Sequence, residues 1–255
     1  MADAPTTGSG CRAGANEFKL LDIQGGAVVS GSFQLYDQGY LLDALSQLGN
    51  STFVGVTQLP LDEPVEAESV AKLASAGVRA IRYNITRGVA TGFSTELVRK
   101  QATAVHDHAK WHSEFYIDCA LLADGQYFDL LTSLPVVSID HVGFSAAGLP
   151  HLLRLLRHRA SHSLPTYVKL TGFGRLNGSR EDVRESIIAL LRAHPESLVF
   201  GSDMPSTRAR EPFSEEADVE LILQCVQEVS GGGAAQMSLV GSVFWGNACR
   251  LYRLQ

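Results

Sequence analysis

An α/β barrel of alternating parallel strands and helices is the fold this sequence predicts, and three observations predict it. Short apolar runs alternate with amphipathic helical stretches from about residue 27 to the end, the pattern of parallel strands joined by helical crossovers. The alternation persists along the whole chain, which favours a barrel over an open doubly wound sheet. The length of 255 residues also suits one barrel domain, for which roughly 250 are typical.

Residues 1–16, MADAPTTGSGCRAGAN, are small and polar and are expected to form a disordered tail ahead of a barrel domain over 17–255. Residues 18–23, FKLLDI, read as a short strand and residues 27–33 as a better one, followed by a helix over about 38–48. Further strands are expected near 52–57, 78–83, 114–119, 136–139, 167–170 and 198–200, all short apolar runs. Helices are expected near 65–76, 95–111, 125–132, 149–161, 181–193, 215–229 and 235–250, with Gly231, Gly232 and Gly233 forming a flexible loop. From residue 27 onward this gives seven strands. The eighth could only be residues 18–23, yet Gln24, Gly25 and Gly26 alone separate it from the next strand. A parallel crossover needs about a dozen residues, so the first strand-helix unit is expected to be missing or collapsed.

The composition limits the partners. A formal net charge of −6 and a pI near 5.7 give no electrostatic case for nucleic acid, which needs clustered Lys and Arg. A small-molecule partner is expected. Cys11, Cys119, Cys225 and Cys249 lie far apart with no CxxC pair, which fits a reduced, cytoplasmic chain. Neither a signal-peptide core nor an apolar run of membrane-spanning length is present.

Three strands share one grammar. SLVFGSDMP, VVSIDHVG and TYVKLTGFGR each run from an apolar stretch into a polar exit, which should deliver Asp203, His141 and Arg175 to one rim, where barrels keep their chemistry. Taken singly, each has an ordinary structural reading: a loop-bonded imidazole, a surface arginine, an Asp capping the turn before Pro205. Arg82 in VRAIRYN falls among buried apolar neighbours, and buried Arg is rare unless paired with an anion. Arg87 follows it in the loop, and Tyr116 in EFYID could donate its hydroxyl inside the barrel. HDHAKWH, with His108 and His112 at a one-turn spacing, lacks the HExxH glutamate and reads as a solvated outer face. HLLRLLRHRASH, with Arg154, Arg157, His158 and Arg159, reads as a barrel helix with a basic outer side.

In order, VRAIRYN, FYID, SIDHVG, VKLTGFGRL, FGSDMP and WGNACRLYRL resemble the amidohydrolase-related superfamily, in the branch of 2-pyrone-4,6-dicarboxylate lactonase and the sugar-lactone hydrolases. The resemblance runs from about Ala27 to Leu254. It implies a distorted (β/α)8 barrel and a hydrolase of a small carboxylated or polyhydroxylated lactone. It further implies Asp203 as the base that activates water and His141 as a group that polarises the scissile carbonyl. Arg82, Arg175, Arg87 and Tyr116 would then grip substrate carboxylates or hydroxyls. The family's first strand ends in an HxH pair, and FKLLDIQGG places Gln24 and Gly26 where those histidines would fall. No cofactor is therefore implied with certainty, although members of the family can hold a divalent metal such as zinc. A catalytically impaired form of the family, a related decarboxylase and a homo-oligomer stay open beside the lactonase.

Overall fold

Seven strands form one parallel sheet whose spatial order is the chain order: β1 (Gly26–Val29), β2 (Phe53–Thr57), β3 (Val78–Asn84), β4 (His112–Tyr116), β5 (Val137–Ile139), β6 (Thr166–Leu170) and β7 (Leu198–Phe200). The computed structural model describes residues 23–86, 94–205 and 214–254. Sequential parallel pairing, with a helix returning the chain each time, curls the sheet into a half-barrel. The helices are α1 (Gly39–Leu48), α2 (Ala67–Ser75), α3 (Thr95–Ala109), α4 (Gly125–Ser133), α5 (Leu149–Ser161), α6 (Arg180–Ala193), α7 (Glu215–Ser230), α8 (Gly233–Gly241) and α9 (Asn247–Tyr252). β4 and β6 are buried along their whole length, as parallel strands covered on both faces must be.

The helix starts follow local chemistry. Ser94 and Ser214 accept backbone N–H bonds at the heads of α3 and α7, and Ser179 with Asp182 makes a capping box on α6. The outward faces of the strands pack with the helices in one large cluster around Ile81, Phe115, Val168 and Leu198. A second cluster fills the inside of the curl: Val54, Val56, Ala80, Tyr167 and Val199 meet Leu251 and Tyr252 of α9. The C-terminal segment is pinned there by Asn247, whose side-chain amide donates to the carbonyls of Leu198 (2.6 Å) and Pro195 (3.0 Å).

β1 and β7 are the two ends of the sheet. Where the missing unit was expected, a π-helical turn (Ser242–Gly246) stacks Phe244 on Phe200, and Trp245 lies close enough to Gly25 that a Cβ there would come within 3.3 Å of it. The eighth strand expected at residues 18–23 and the tail at 1–16 lie outside the described residues, apart from Ile23.

Five expectations need correcting. β1 stops at Val29 rather than at Phe33, because the Gln34 side chain accepts from the Gly31 N–H (2.6 Å) and turns the chain into a 3-10 turn with Phe33 exposed. β4 occupies residues 112–116 rather than 114–119, since Lys110 takes a left-handed conformation that ends α3 early. His112 is therefore a buried strand residue and not part of a solvated face. The helix expected over 235–250 is interrupted by the π turn, and Arg159 of α5 is fully buried rather than on a basic outer side.

Candidate active site

Three consecutive strand exits use the same backbone device. His141 follows β5 at φ +52°, Gly172 follows β6 at φ +61° and Asp203 follows β7 at φ +59°. Non-glycine residues rarely adopt this conformation, and where they do the surroundings must hold them. The effect is to turn the side chains of His141 and Asp203 off their strands toward the backbone of Gly172. A Cβ placed on Gly172 would lie 2.6 Å from His141 Nδ1 and 2.9 Å from Asp203 Oδ2. Glycine is needed because the imidazole and the carboxylate occupy the space a side chain would fill.

Arg175 reaches back from the 3-10 turn after Gly172, and its Nε–H donates to Asp203 Oδ2 in an ion pair that is largely screened from solvent. His141 is buried, and its Nδ1 lies 3.2 Å from the Thr171 carbonyl. A carbonyl only accepts, so Nδ1 carries the proton and Nε2 of the neutral ring is an acceptor. Burial lowers the His141 pKa, while the carboxylates of Asp140 and Asp203 pull the other way. The ring is packed edge-on by Tyr116 (5.2 Å between centroids) and Phe144 (5.1 Å), which also touch each other at 4.3 Å.

Arg82 lies beside this group, against Tyr116 and Asp140. Its Nε and Nη2 donate to Asp140 Oδ2 at 2.9 and 2.7 Å, its Nη1 donates to the Ser30 carbonyl at 3.0 Å, and its guanidinium lies 5.1 Å from the Tyr116 ring centroid. The anion inferred for a buried arginine is thus internal, the Asp140 carboxylate. Desolvation works against the charge on Arg82, but Asp140 outweighs it and raises the pKa. The structure brings His141, Asp203, Arg175, Arg82 and Tyr116 together; Arg87 lies outside the described residues.

Sequence reasoning missed the layer beneath. Lys169 Nζ bonds Glu114 Oε2 and lies 3.1 Å from Asp140 Oδ1, and Glu114 Oε1 accepts from His112 Nε2 (3.0 Å) and from the Tyr252 hydroxyl (2.7 Å). Desolvation opposes ionisation of both acids, and Lys169 overcomes it, holding Asp140 far below the usual carboxylate range and Glu114 below its ordinary value. The signal was available in the strand period, because HSEFY and TYVKL put His112, Glu114 and Tyr116, and Tyr167 and Lys169, on the inward face. At the outer edge, Asp218 of α7 accepts from the Phe173 N–H, and burial pushes its carboxyl up to about 6.

Among the described residues, the donor set at the rim does not fit a metal ion. His141 and Asp203 are the imidazole and carboxylate at the rim, and a guanidinium already sits on Asp203. Among the described residues no group of three or more His, Cys, Asp or Glu is placed to hold one, whereas a zinc site takes three or four protein ligands. No described helix is long and apolar enough to cross a membrane.

Comparison with known proteins bears on the fold and the family. No match is found among curated proteins. Among solved structures, a proposed 2-pyrone-4,6-dicarboxylic acid hydrolase from Pseudomonas putida is 25% identical with a TM-score of 0.77, over 100% of this chain and 89% of that one. A second such proposed hydrolase, from Acinetobacter baumannii with citric acid bound, is 17% identical with a TM-score of 0.78, over 99% and 92% of the two chains. An Agrobacterium tumefaciens protein is 19% identical with a TM-score of 0.75, over 96% and 84%. The amidohydrolase family model matches residues 12–254, and with nearly the whole chain so matched, this protein belongs to the amidohydrolase family.

Proposed function

We propose that the cleft hydrolyses a small lactone carrying carboxylate groups, with Asp203 as the base. The observation that carries this reading is the juxtaposition at Gly172: a carboxylate and a neutral imidazole reach one point from two strand exits, and a guanidinium is bonded to the carboxylate. Ester hydrolysis needs a base for water, positive charge where the carbonyl oxygen becomes anionic, and a shielded pocket. All three residue types are within reach of one small molecule.

In the proposed step Asp203 takes a proton from water as the water oxygen bonds the lactone carbonyl carbon. The carbonyl electron pair moves to oxygen, giving a tetrahedral oxyanion. The ring C–O bond then breaks, the carbonyl re-forms, and the proton on Asp203 passes to the departing ring oxygen, leaving an open-chain acid. The Arg175 guanidinium, bonded to Asp203, supports the oxyanion. His141 can donate to it through Nε2 only as the imidazolium, because Nδ1–H is committed to the Thr171 carbonyl. Arg82, Arg87 and Tyr116 are the proposed contacts for substrate carboxylates and hydroxyls. The 25%-identical Pseudomonas relative and the citrate held by the Acinetobacter one support a small polycarboxylate.

The test is a lactone panel. Purified protein is expected to open 2-pyrone-4,6-dicarboxylate with a kcat/KM at least about tenfold above that for neutral sugar lactones, one charge-assisted contact being worth that much. Equal rates across the panel would remove the carboxylate preference, and loss of CO2 in place of ring opening would replace the lactonase with a decarboxylase.

A further inference from the structure

We propose that Lys169 is a positioning residue: bridging Asp140 and Glu114, it fixes the Arg82 guanidinium against Tyr116 and ties it to Tyr252 at the C-terminus. Its bearing on turnover rests on the lactonase reading, whereas its effect on Arg82 does not.

The geometry runs in one chain of contacts across the inside of the half-barrel. Arg82 and Glu114 are register partners on β3 and β4, so they stand side by side on one face. They do not bond each other. Glu114 instead reaches across β5 to Lys169, past Ser138, which is its register partner and the smallest side chain at that level. Ile139 pairs with Val168, so Asp140 and Lys169 are the next neighbours upward, and the ammonium meets both carboxylates. One oxygen of Asp140 is thus taken by Lys169 and the other by two nitrogens of Arg82.

The charges explain why such a cluster survives burial. Two cations, Arg82 and Lys169, face two carboxylates, Glu114 and Asp140, and burial keeps His112 neutral as a donor to Glu114. The side chains of the four charged residues are all 9% exposed or less. A buried pair is costly when one partner is lost, because the survivor is left uncompensated. Without Lys169, two carboxylates would face one guanidinium. Asp140 would be free to rotate with its arginine, and the cluster would turn negative beside an anionic substrate. The Tyr252 hydroxyl completes the network from α9, which also lies over the inner apolar cluster. The orientation of Arg82 therefore depends on a docked C-terminal helix.

The experiment follows the Arg82 Nε–H resonance in 15N-labelled full-length protein, identified by its absence from Arg82→Met. Lys169→Met alone strands a buried carboxylate and puts folding at risk, so the main variant is Glu114→Gln/Lys169→Met, which removes one charge of each sign, and Tyr252→Phe keeps every charge. Hydrogen exchange at Arg82 Nε is expected to be about tenfold faster in the double variant and about threefold faster in Tyr252→Phe, from the loss of one to two buried hydrogen bonds. Lys169→Arg should restore the slow rate. With 2-pyrone-4,6-dicarboxylate, KM should rise about tenfold in the double variant while kcat stays within about threefold. Exchange as slow in the double variant as in the wild type overturns the proposal, as does a KM that does not move. If the wild type neither binds citrate nor turns over the pyrone, the lactonase reading fails, and the exchange rates alone still decide whether Lys169 holds Arg82.

Discussion

Gly172→Ala is the perturbation to which the geometry is most directly sensitive. A methyl group at this position would meet His141 Nδ1 at 2.6 Å and Asp203 Oδ2 at 2.9 Å, where ordinary contact begins near 3.4 Å. The imidazole would have to retreat by the difference, and it could not do so and keep its bond to the Thr171 carbonyl. Two costs combine. Holding alanine in the left-handed region costs about 1–2 kcal/mol, and forcing a methyl into a filled site costs about 1–3 kcal/mol more. A destabilisation of about 3 kcal/mol is therefore expected. Displacing a reacting group by most of an ångström is expected to reduce turnover about a hundredfold. Gly231→Ala is the control, since Gly231 has φ +71° and no atom within 4 Å of the point where a Cβ would lie; it should show only the backbone cost. Urea denaturation of both variants and steady-state hydrolysis of 2-pyrone-4,6-dicarboxylate make the comparison. Equal stability losses in the two variants, with activity intact in Gly172→Ala, would refute the idea that the two groups meet over this glycine.

Three further outcomes are expected. Burial raises the Asp218 carboxyl to about 6 from an unfolded value near 3.9, so its contribution to stability is full only below about pH 4 and is lost as pH rises through 6. Asp218→Asn should thus stabilise the protein by about 1 kcal/mol at pH 7.5, after discounting for partial exposure; the gain should shrink to about half at pH 5 and toward zero below about pH 4, as read by urea melts across this range. His112 and His141 have pKa values lowered by burial, so their contribution is present above the unfolded value near 6.5 and is lost as pH falls. Thermal melts should show the midpoint falling as pH drops below about 6.5. Arg159→Met should destabilise by about 3 kcal/mol or more, because Arg159 donates to the carbonyls of Leu131, Leu134, Pro135 and Pro165 and to the Thr166 hydroxyl; a loss under about 1 kcal/mol in chemical denaturation would show that water replaces those bonds.

The parallel order of the strands was legible because each buried run is short, apolar and separated by a helix with its own period, and β7 fell on the residues read for it. The rim was legible for the same reason: polar residues directly after apolar runs must emerge at one end of a parallel sheet. What the pattern could not reveal was pairing. The sequence shows that Arg82 needs an anion, but two were available on the inward face, and only register and the small Ser138 decide that Asp140 binds Arg82 while Glu114 binds Lys169. His112 was assigned to the wrong layer because a helix period continues through HDHAKWH, and the left-handed Lys110 that ends α3 has no strong local signature. The burial of Arg159 was hidden in the same way, since a helical arginine directed at strand-end carbonyls has the same spacing as one in solvent.

The central claim is that Asp203 is the base of a lactone hydrolase, and it is tested most directly by comparing kcat of the wild type and Asp203→Asn on 2-pyrone-4,6-dicarboxylate at saturating substrate. The amide can still accept a hydrogen bond from Arg175, so the site is expected to keep its form and the protein its melting temperature. It cannot take the proton of water, and kcat should fall about a hundredfold to ten-thousandfold. A kcat within about threefold of the wild type would contradict the account and leave Asp203 as a structural partner of Arg175.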